Sequence, residues 1–473
     1  MNNSIVRIES ISIRNFKNVV DGEISLINNR KEYETSIVGL YGQNGSGKTA
    51  LIDAIELLKL TLCSQPIPIK YADYINVDAP YSELKYVLKV NNPKENSVYT
   101  VYYDFSIKKE LDTSSQNTET TDVDTEKFKV AVFNEVLSYS FSCEKGSKDD
   151  NRKQKVIDTR TDDVFIPKTK YDLLTNKNKT VTTDLLVAKK LAYATSRSFI
   201  FSKELLSVLR SNCKVDWHLY LFESLVYYGN FNLFVINTSN SGLISMNALP
   251  LAFKYEEKNM GIVGNLTIPL DGTATIPQDA VDLVKKLTQN MNIVLNQLVP
   301  GLTIGIKDLG PQILKNGKIG CKIELISHKN SKEIPLRYES DGIKKIISIL
   351  QLLIVIYNKS SITVAIDELD AGVFEYLLGE LLRIISEKGK GQLIFTSHNL
   401  RPLETLDKGF IAFTTTNPAN RYIRLNNIKT NHNLRDFYYR DIVLGEQNEE
   451  VYEQTNNYEI SLAFREAGEF SGT

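Results

Sequence analysis

Eight consecutive residues, Gly42-Gln43-Asn44-Gly45-Ser46-Gly47-Lys48-Thr49, fit the pattern G-x-x-x-x-G-K-[ST] at every position. Glycines let a backbone curl until successive N–H groups point inward at phosphate oxygens. Gln43, Asn44, Gly45, Ser46 and Gly47 are therefore expected to form an ATP cradle. Lys48 should reach the β- and γ-phosphates, and the Thr49 hydroxyl should ligate Mg²⁺. A second constellation is the apolar run Ile362-Thr363-Val364-Ala365-Ile366 ending in Asp367-Glu368. A buried strand ending this way would deliver Asp367 to a metal at the carboxyl edge of a sheet. Glu368, one residue on, can polarise a water for attack on the γ-phosphate. About 30 residues later, Leu393-Ile394-Phe395-Thr396-Ser397-His398 is another buried strand, and its terminal His398 can donate a hydrogen bond to phosphate or water. Finally, Ser340-Asp341-Gly342 opens an apolar-periodic stretch containing Ile346, Leu350 and Leu353. Such a turn is either an anion site at a helix N-terminus or an ordinary cap.

The neighbouring elements suit these roles. Ile37 to Tyr41 is an apolar run before the glycine loop, and Leu51, Ile55 and Leu58 follow it at helical spacing. The order strand, loop, helix is thus expected around Lys48. The alternation of Val6, Ile8, Ile11 and Ile13 predicts an N-terminal strand. Tyr81–Val90 and Val98–Phe105 predict a hairpin, and Phe128–Phe141 a further strand. Residues 111–126 and 145–180 are polar, and 181–240 read as helical and aromatic-rich around Trp217. A helix is predicted from Pro277 to Leu298, strands at Leu302–Ile306 and Ile319–Leu325, and alternating helix and strand from 342 to about 425. The fold class is α/β. The expected division is an ATPase lobe I over 1–140, an inserted, largely helical middle region over 141–300 serving interaction, a lobe II over 301–440, and a tail over 441–473.

Composition narrows the options. The chain has 473 residues, 42% hydrophobic and 24% charged, enough for two or three units without cross-links. A formal net charge of −1 gives no bulk attraction to nucleic acid. Cys63, Cys143, Cys213 and Cys321 are far apart and form neither a disulfide framework nor a zinc motif. There is no apolar leader and no run of about 18 apolar residues, so a cytoplasmic location without membrane contact is expected.

In order and spacing the four motifs resemble the ABC ATPase head of RecF, the SMC proteins and related stand-alone bacterial ATPases. Ile13-Arg14-Asn15-Phe16-Lys17 is similar to the start of that class. The resemblance makes Gly42–Thr49 the Walker A, Asp367-Glu368 the Walker B, Asp370 part of a D-loop and His398 the switch histidine. It makes Ser340, Asp341 and Gly342 the signature, with Ser-Asp-Gly in place of the usual Ser-Gly-Gly. It implies two subunits sandwiching two ATP molecules, the signature of one closing on the nucleotide of the other, in a homodimer or higher homo-oligomer. Gln65 is the candidate Q-loop residue. The long coiled coil of SMC proteins is missing.

The run Ser340-Asp341-Gly342-Ile343-Lys344-Lys345 further resembles phage-defence ATPases such as RloA, AbiLi and the AriA subunit of PARIS. That likeness implies an ATPase sensor and scaffold, triggered by a phage protein, that controls a separate effector such as a TOPRIM-like nuclease. The 75 residues after His398 are too few for such a nuclease within this chain. The alternative is a RecF-like repair or loading ATPase that binds DNA directly. A transporter ATPase subunit fits the middle region poorly.

Overall fold

The computed structural model describes residues 4–28, 34–93, 97–112, 128–143, 152–161, 164, 167–237, 248–257, 260–314, 317–329, 332–425, 433–444 and 449–469. Its first half holds β1 (Ile5–Phe16), β2 (Val19–Ser25), β3 (Ser36–Tyr41), α1 (Lys48–Leu62), β4 (Ser82–Asn92), β5 (Ser97–Leu111), β6 (Phe128–Cys143) and β7 (Gln154–Asp158). Then come α2 (Lys168–Thr175), α3 (Thr180–Ala194), α4 (Lys203–Asn212), α5 (Asp216–Tyr227) and β8 (Leu233–Ile236). A hairpin of β9 (Ala248–Glu257) and β10 (Met260–Pro269) precedes β11 (Thr273–Pro277), α6 (Gln278–Leu298), β12 (Leu302–Ile313), β13 (Ile319–Lys329) and β14 (Lys332–Pro335). The last part holds α7 (Asp341–Asn358), β15 (Thr363–Ile366), α8 (Glu375–Lys388), β16 (Gln392–Thr396), α9 (Pro402–Thr405), β17 (Ile411–Thr414), β18 (Tyr422–Ile423), α10 (Leu434–Leu444) and α11 (Asn457–Glu469).

Two six-stranded sheets dominate. The first is antiparallel, in the order β2-β1-β4-β5-β6-β7. The second runs β18-β17-β3-β16-β15-β8, and β17, β3, β16, β15 and β8 are mutually parallel. Parallel strands covered on both faces read as continuous apolar runs, and these do. Alternate residues still sort to opposite faces: Val38, Leu40, Val235, Ala365 and Ile394 join one core with α1 and the antiparallel sheet. Ile37, Tyr41, Phe234, Ile236, Val364, Ile366, Leu393 and Phe395 join the other with α6, α7 and α8. Gly39 pairs with Phe395 across β3 and β16, and a Cβ there would sit 2.6 Å from the Phe395 ring.

The strand, hairpin and helix expectations around β1, β4, β5, β6, α6, β12 and β13 match these elements. Most of 111–126 lies outside the described residues. The segment 181–240 differs from its reading, since it ends in a strand rather than a helix. Because β8 pairs with β15 inside the central sheet, the span 141–300 is not wholly an insertion. The helical part is 168–227, with α3 and α5 packed on the antiparallel sheet and α4 against α2, α3 and α5. Trp217 stacks on Tyr99 at 6.0 Å and meets Tyr139 edge-on at 4.8 Å, which fastens α5 to β5 and β6. The polar stretch 145–180 likewise holds β7 and α2.

Candidate nucleotide site

The site is built where β3, β15 and β16 end along the carboxyl edge of the parallel sheet. β3 stops at Tyr41, and the chain turns through Gly42 (φ 149°), Gly45 (φ 78°) and Gly47 (φ 94°) before α1 starts at Lys48. A side chain at Gly42 would overlap the Thr414 hydroxyl of β17, its Cβ only 1.9 Å away. The loop is braced from several directions. Tyr422 donates its hydroxyl to the Gly47 carbonyl (3.0 Å). The buried Arg421 guanidinium donates to the carbonyls of Thr415 and Asn18, both at 2.6 Å. Lys48 is buried and donates to the carbonyls of Gly42 (2.8 Å) and Gln43 (2.9 Å). Burial pushes its ammonium down to about 8, opposed by Asp367, Glu368 and Asp370.

Asp367, buried at the end of β15, lies across from the loop. The Thr49 hydroxyl donates to Asp367 Oδ1 at 3.4 Å, and Thr396 of β16 donates to the same oxygen at 2.6 Å. Two ligands on adjacent vertices of a Mg²⁺ octahedron stand roughly 3 Å apart, so this pair of hard oxygens fits that ion. Mg²⁺ commonly takes one or two protein oxygens and fills its shell with water and phosphate, as two ligands here would require. Glu368 has φ 48°, a left-handed backbone that a non-glycine residue adopts under strain, and its N–H donates to Thr396 Oγ1 at 2.7 Å. One hydroxyl thus orients both carboxylate positions. Asp370 accepts from the backbone N–H groups of His398 (3.2 Å) and Asn399 (3.0 Å), joining the turn after β15 to the one after β16.

A cavity of about 440 Å³ gathers these groups. Asn44, Gly45, Gly47, Lys48 and Thr49 line it from the loop, Asp367, Glu368, Thr396 and His398 from the strand ends, and Lys17 and Asn18 from the turn after β1. Its size suits a nucleotide-sized ligand. His398 is exposed and also borders a second cavity of about 370 Å³ formed with Gln43, Ser397, Tyr438, Tyr439 and Tyr452. Ser46 is turned inward, its hydroxyl bonded to the Gln43 carbonyl and to Thr414. Ser340, Asp341 and Gly342 do not line the 440 Å³ cavity. Ser340 caps α7, its hydroxyl accepting from the Ile343 N–H at 3.4 Å. Gln65 is exposed beyond the far end of the 15-residue α1, on the order of 20 Å from the loop at the usual helical rise. The candidate Q-loop assignment therefore fails on position. Asn237, following β8, stands beside Asp367 instead, whose N–H donates to Ile236, and its amide donates to Asp53 (2.8 Å) and Glu56 (3.2 Å) on α1. Sequence reading passed over Asn237, Thr396, Arg421 and Tyr422. Only Thr396 carried a signal, through its place in the strand before His398.

Against known families, residues 10–207 match the AAA domain family AAA_23. That match takes in the glycine loop and α1. No curated protein sequence matches the chain. Remote structural likenesses extend over most of it. The Smc head bound to the C-winged helix domain of ScpA has 13% identity and a TM-score of 0.38, covering 88% of this chain and 98% of its own. The SMC head domain of Thermotoga maritima has 13% identity and a TM-score of 0.35, covering 89% and 100%. The recombination mediator protein RecF has 11% identity and a TM-score of 0.34, covering 88% and 98%. The fold is mixed α/β, built on a central, largely parallel sheet. Its glycine loop joins β3 to α1, its acidic turn follows β15, and the helical stretch 168–227 is set between them in sequence. Among the described residues, no helix is long and apolar enough to cross a membrane. Cys63, Cys213 and Cys321 are free.

Proposed function

We propose that the chain binds Mg²⁺-ATP in the 440 Å³ cavity and hydrolyses it. The observation that carries this is the convergence of Lys48 and Thr49 with Asp367, Glu368 and His398, which sequence separates by more than 300 residues. The loop amides and Lys48 hold the phosphates, while Thr49 and Asp367 hold the ion. Mg²⁺, when bound, neutralises charge developing on the phosphate oxygens. Glu368 accepts the proton of the attacking water, and His398 donates to the γ-phosphate. Steady-state Mg²⁺-ATP hydrolysis tests the reading. Glu368→Gln keeps the side-chain volume and should still bind ATP, while kcat falls by about 100-fold or more. Wild-type turnover in that variant would remove Glu368 from the role of base.

The finer reading is a composite site. Since Ser340, Asp341 and Gly342 lie outside the cavity that holds Lys48, they serve the nucleotide of a second copy, in a homodimer or larger homo-oligomer. We read the protein as a cytoplasmic sensor and scaffold of anti-phage defence. It is triggered by a phage protein and controls a separate effector, a TOPRIM-like nuclease. Support comes from the run 340–345 and from the near-neutral net charge, which disfavours a DNA-binding role like that of RecF. Copurification from the native operon separates the two: an associated nuclease supports defence, and salt-sensitive DNA binding by the pure chain supports the alternative.

A further inference from the structure

Lys345 is a buried lysine on the first turns of α7, 4% exposed, and the chemistry above does not use it. Fully buried lysines are rare unless paired. Three residues before it, Gly342 lies on the same helix face. That face rests directly on the turn after β15: a Cβ on Gly342 would come within 2.4 Å of the Gly372 carbonyl oxygen, and Gly372 is itself left-handed at φ 75°. The close approach seats Lys345 over the acidic turn, where its ammonium donates to the main-chain carbonyl of Glu368 at 3.3 Å. Burial pushes the ammonium down to about 8, and the charges of Asp370, Glu368 and Asp367 oppose that shift.

The backbone of Glu368 is thus gripped on both sides. Thr396 receives its N–H at 2.7 Å, and Lys345 donates to its C=O. Between these two contacts the residue keeps a left-handed φ of 48°, which persists only where surroundings impose it. The direction of a carboxylate follows from the backbone that carries it. We propose that Lys345 is a positioning residue for hydrolysis, tying the start of α7 to the Glu368 carbonyl so that the Glu368 carboxylate faces the cavity. The inference rests on the ATPase reading. It adds a path by which the Ser340 turn, engaged by a second copy's nucleotide, sets the geometry of the base in its own chain.

The test compares full-length wild type, Lys345→Met, Lys345→Leu and Lys345→Arg by Mg²⁺-ATP hydrolysis, by equilibrium binding of a fluorescent ATP analogue and by thermal unfolding. Lys345→Met should lower kcat at least about tenfold while KM and analogue affinity stay within about twofold, because loss of alignment acts on the chemical step. Lys345→Arg, which can still donate to the carbonyl, should recover much of the rate. Lys345→Leu, likewise unable to donate, supplies the same measurement if the methionine variant does not fold. Wild-type kcat in either neutral variant overturns the inference, as does a parallel loss of affinity and kcat that arginine fails to rescue. A wild-type chain without ATP turnover overturns the ATPase reading itself, and this inference with it.

Discussion

At the scale of residues, the site depends on a few charges held out of water. Lys48 and Asp367 are both buried, and each is stabilised by the opposite charge or by donated hydrogen bonds. Lys48→Ala removes the only lysine of the glycine loop and leaves Asp367 and Glu368 facing one cation fewer. It should lower ATP affinity by on the order of 100-fold or more, since charge-assisted phosphate bonds are among the strong ones. Titration with a fluorescent ATP analogue, beside a circular dichroism spectrum matching wild type, measures this. Unchanged affinity in a folded variant would refute the cradle assignment. Phe437, Tyr438 and Tyr439 are consecutive aromatics on α10. Phe437 and Tyr438 are buried, with Tyr438 against Phe413, so only Tyr439 of the three is free to meet a partner.

At the scale of elements, the antiparallel sheet and the helices packed on it are joined by one buried carboxylate. Glu135 on β6 follows Asn134, whose φ of 55° marks the place where the β5–β6 register shifts. Glu135 accepts from the Tyr103 hydroxyl at 2.8 Å, from the Phe199 N–H at 2.8 Å and from the Ser198 hydroxyl. Desolvation raises its pKa, and these donors oppose the shift. Glu135→Ala strands all three donors in a dry interior and should cost about 3 kcal/mol of stability, where an exposed charge would cost little. The denaturant midpoint reports the change, and a loss below about 0.5 kcal/mol would show that solvent or repacking satisfies those donors.

At the scale of the whole molecule, the proposed composite site requires that the Ser340 turn and the glycine loop it serves come from different copies. Mixing a Lys48→Ala chain with a Ser340→Arg chain should restore one intact site per mixed dimer, and hydrolysis in purified mixed dimers is the readout. No recovery would leave the Ser340 turn as a plain helix cap, which its hydrogen bond to Ile343 also explains.

The amino-acid sequence by itself determined the chemistry-bearing segments, because each is local. A glycine loop between an apolar strand and an amphipathic helix, or a buried strand ending in two acids, is written in consecutive residues. The ends of β3, β15 and β16 could therefore be read as one site. Four apolar residues, Leu233-Phe234-Val235-Ile236, could not be read as a strand. Beside a run of helices, a segment that short has no periodicity to separate it from one more helical turn. Only pairing with β15 made it β8 and brought Asn237 to the sheet edge. The supports of the site were equally out of reach. Arg421 and Tyr422 meet Asn18 and Gly47 across 403 and 375 residues, and the Thr396 hydroxyl bonds the Asp367 carboxylate and the Glu368 N–H just past a neighbouring strand. The residues around Lys345 carry no local signal of its burial. Its burial follows from the contact of Gly342 with Gly372, a backbone approach that no pattern of side chains encodes.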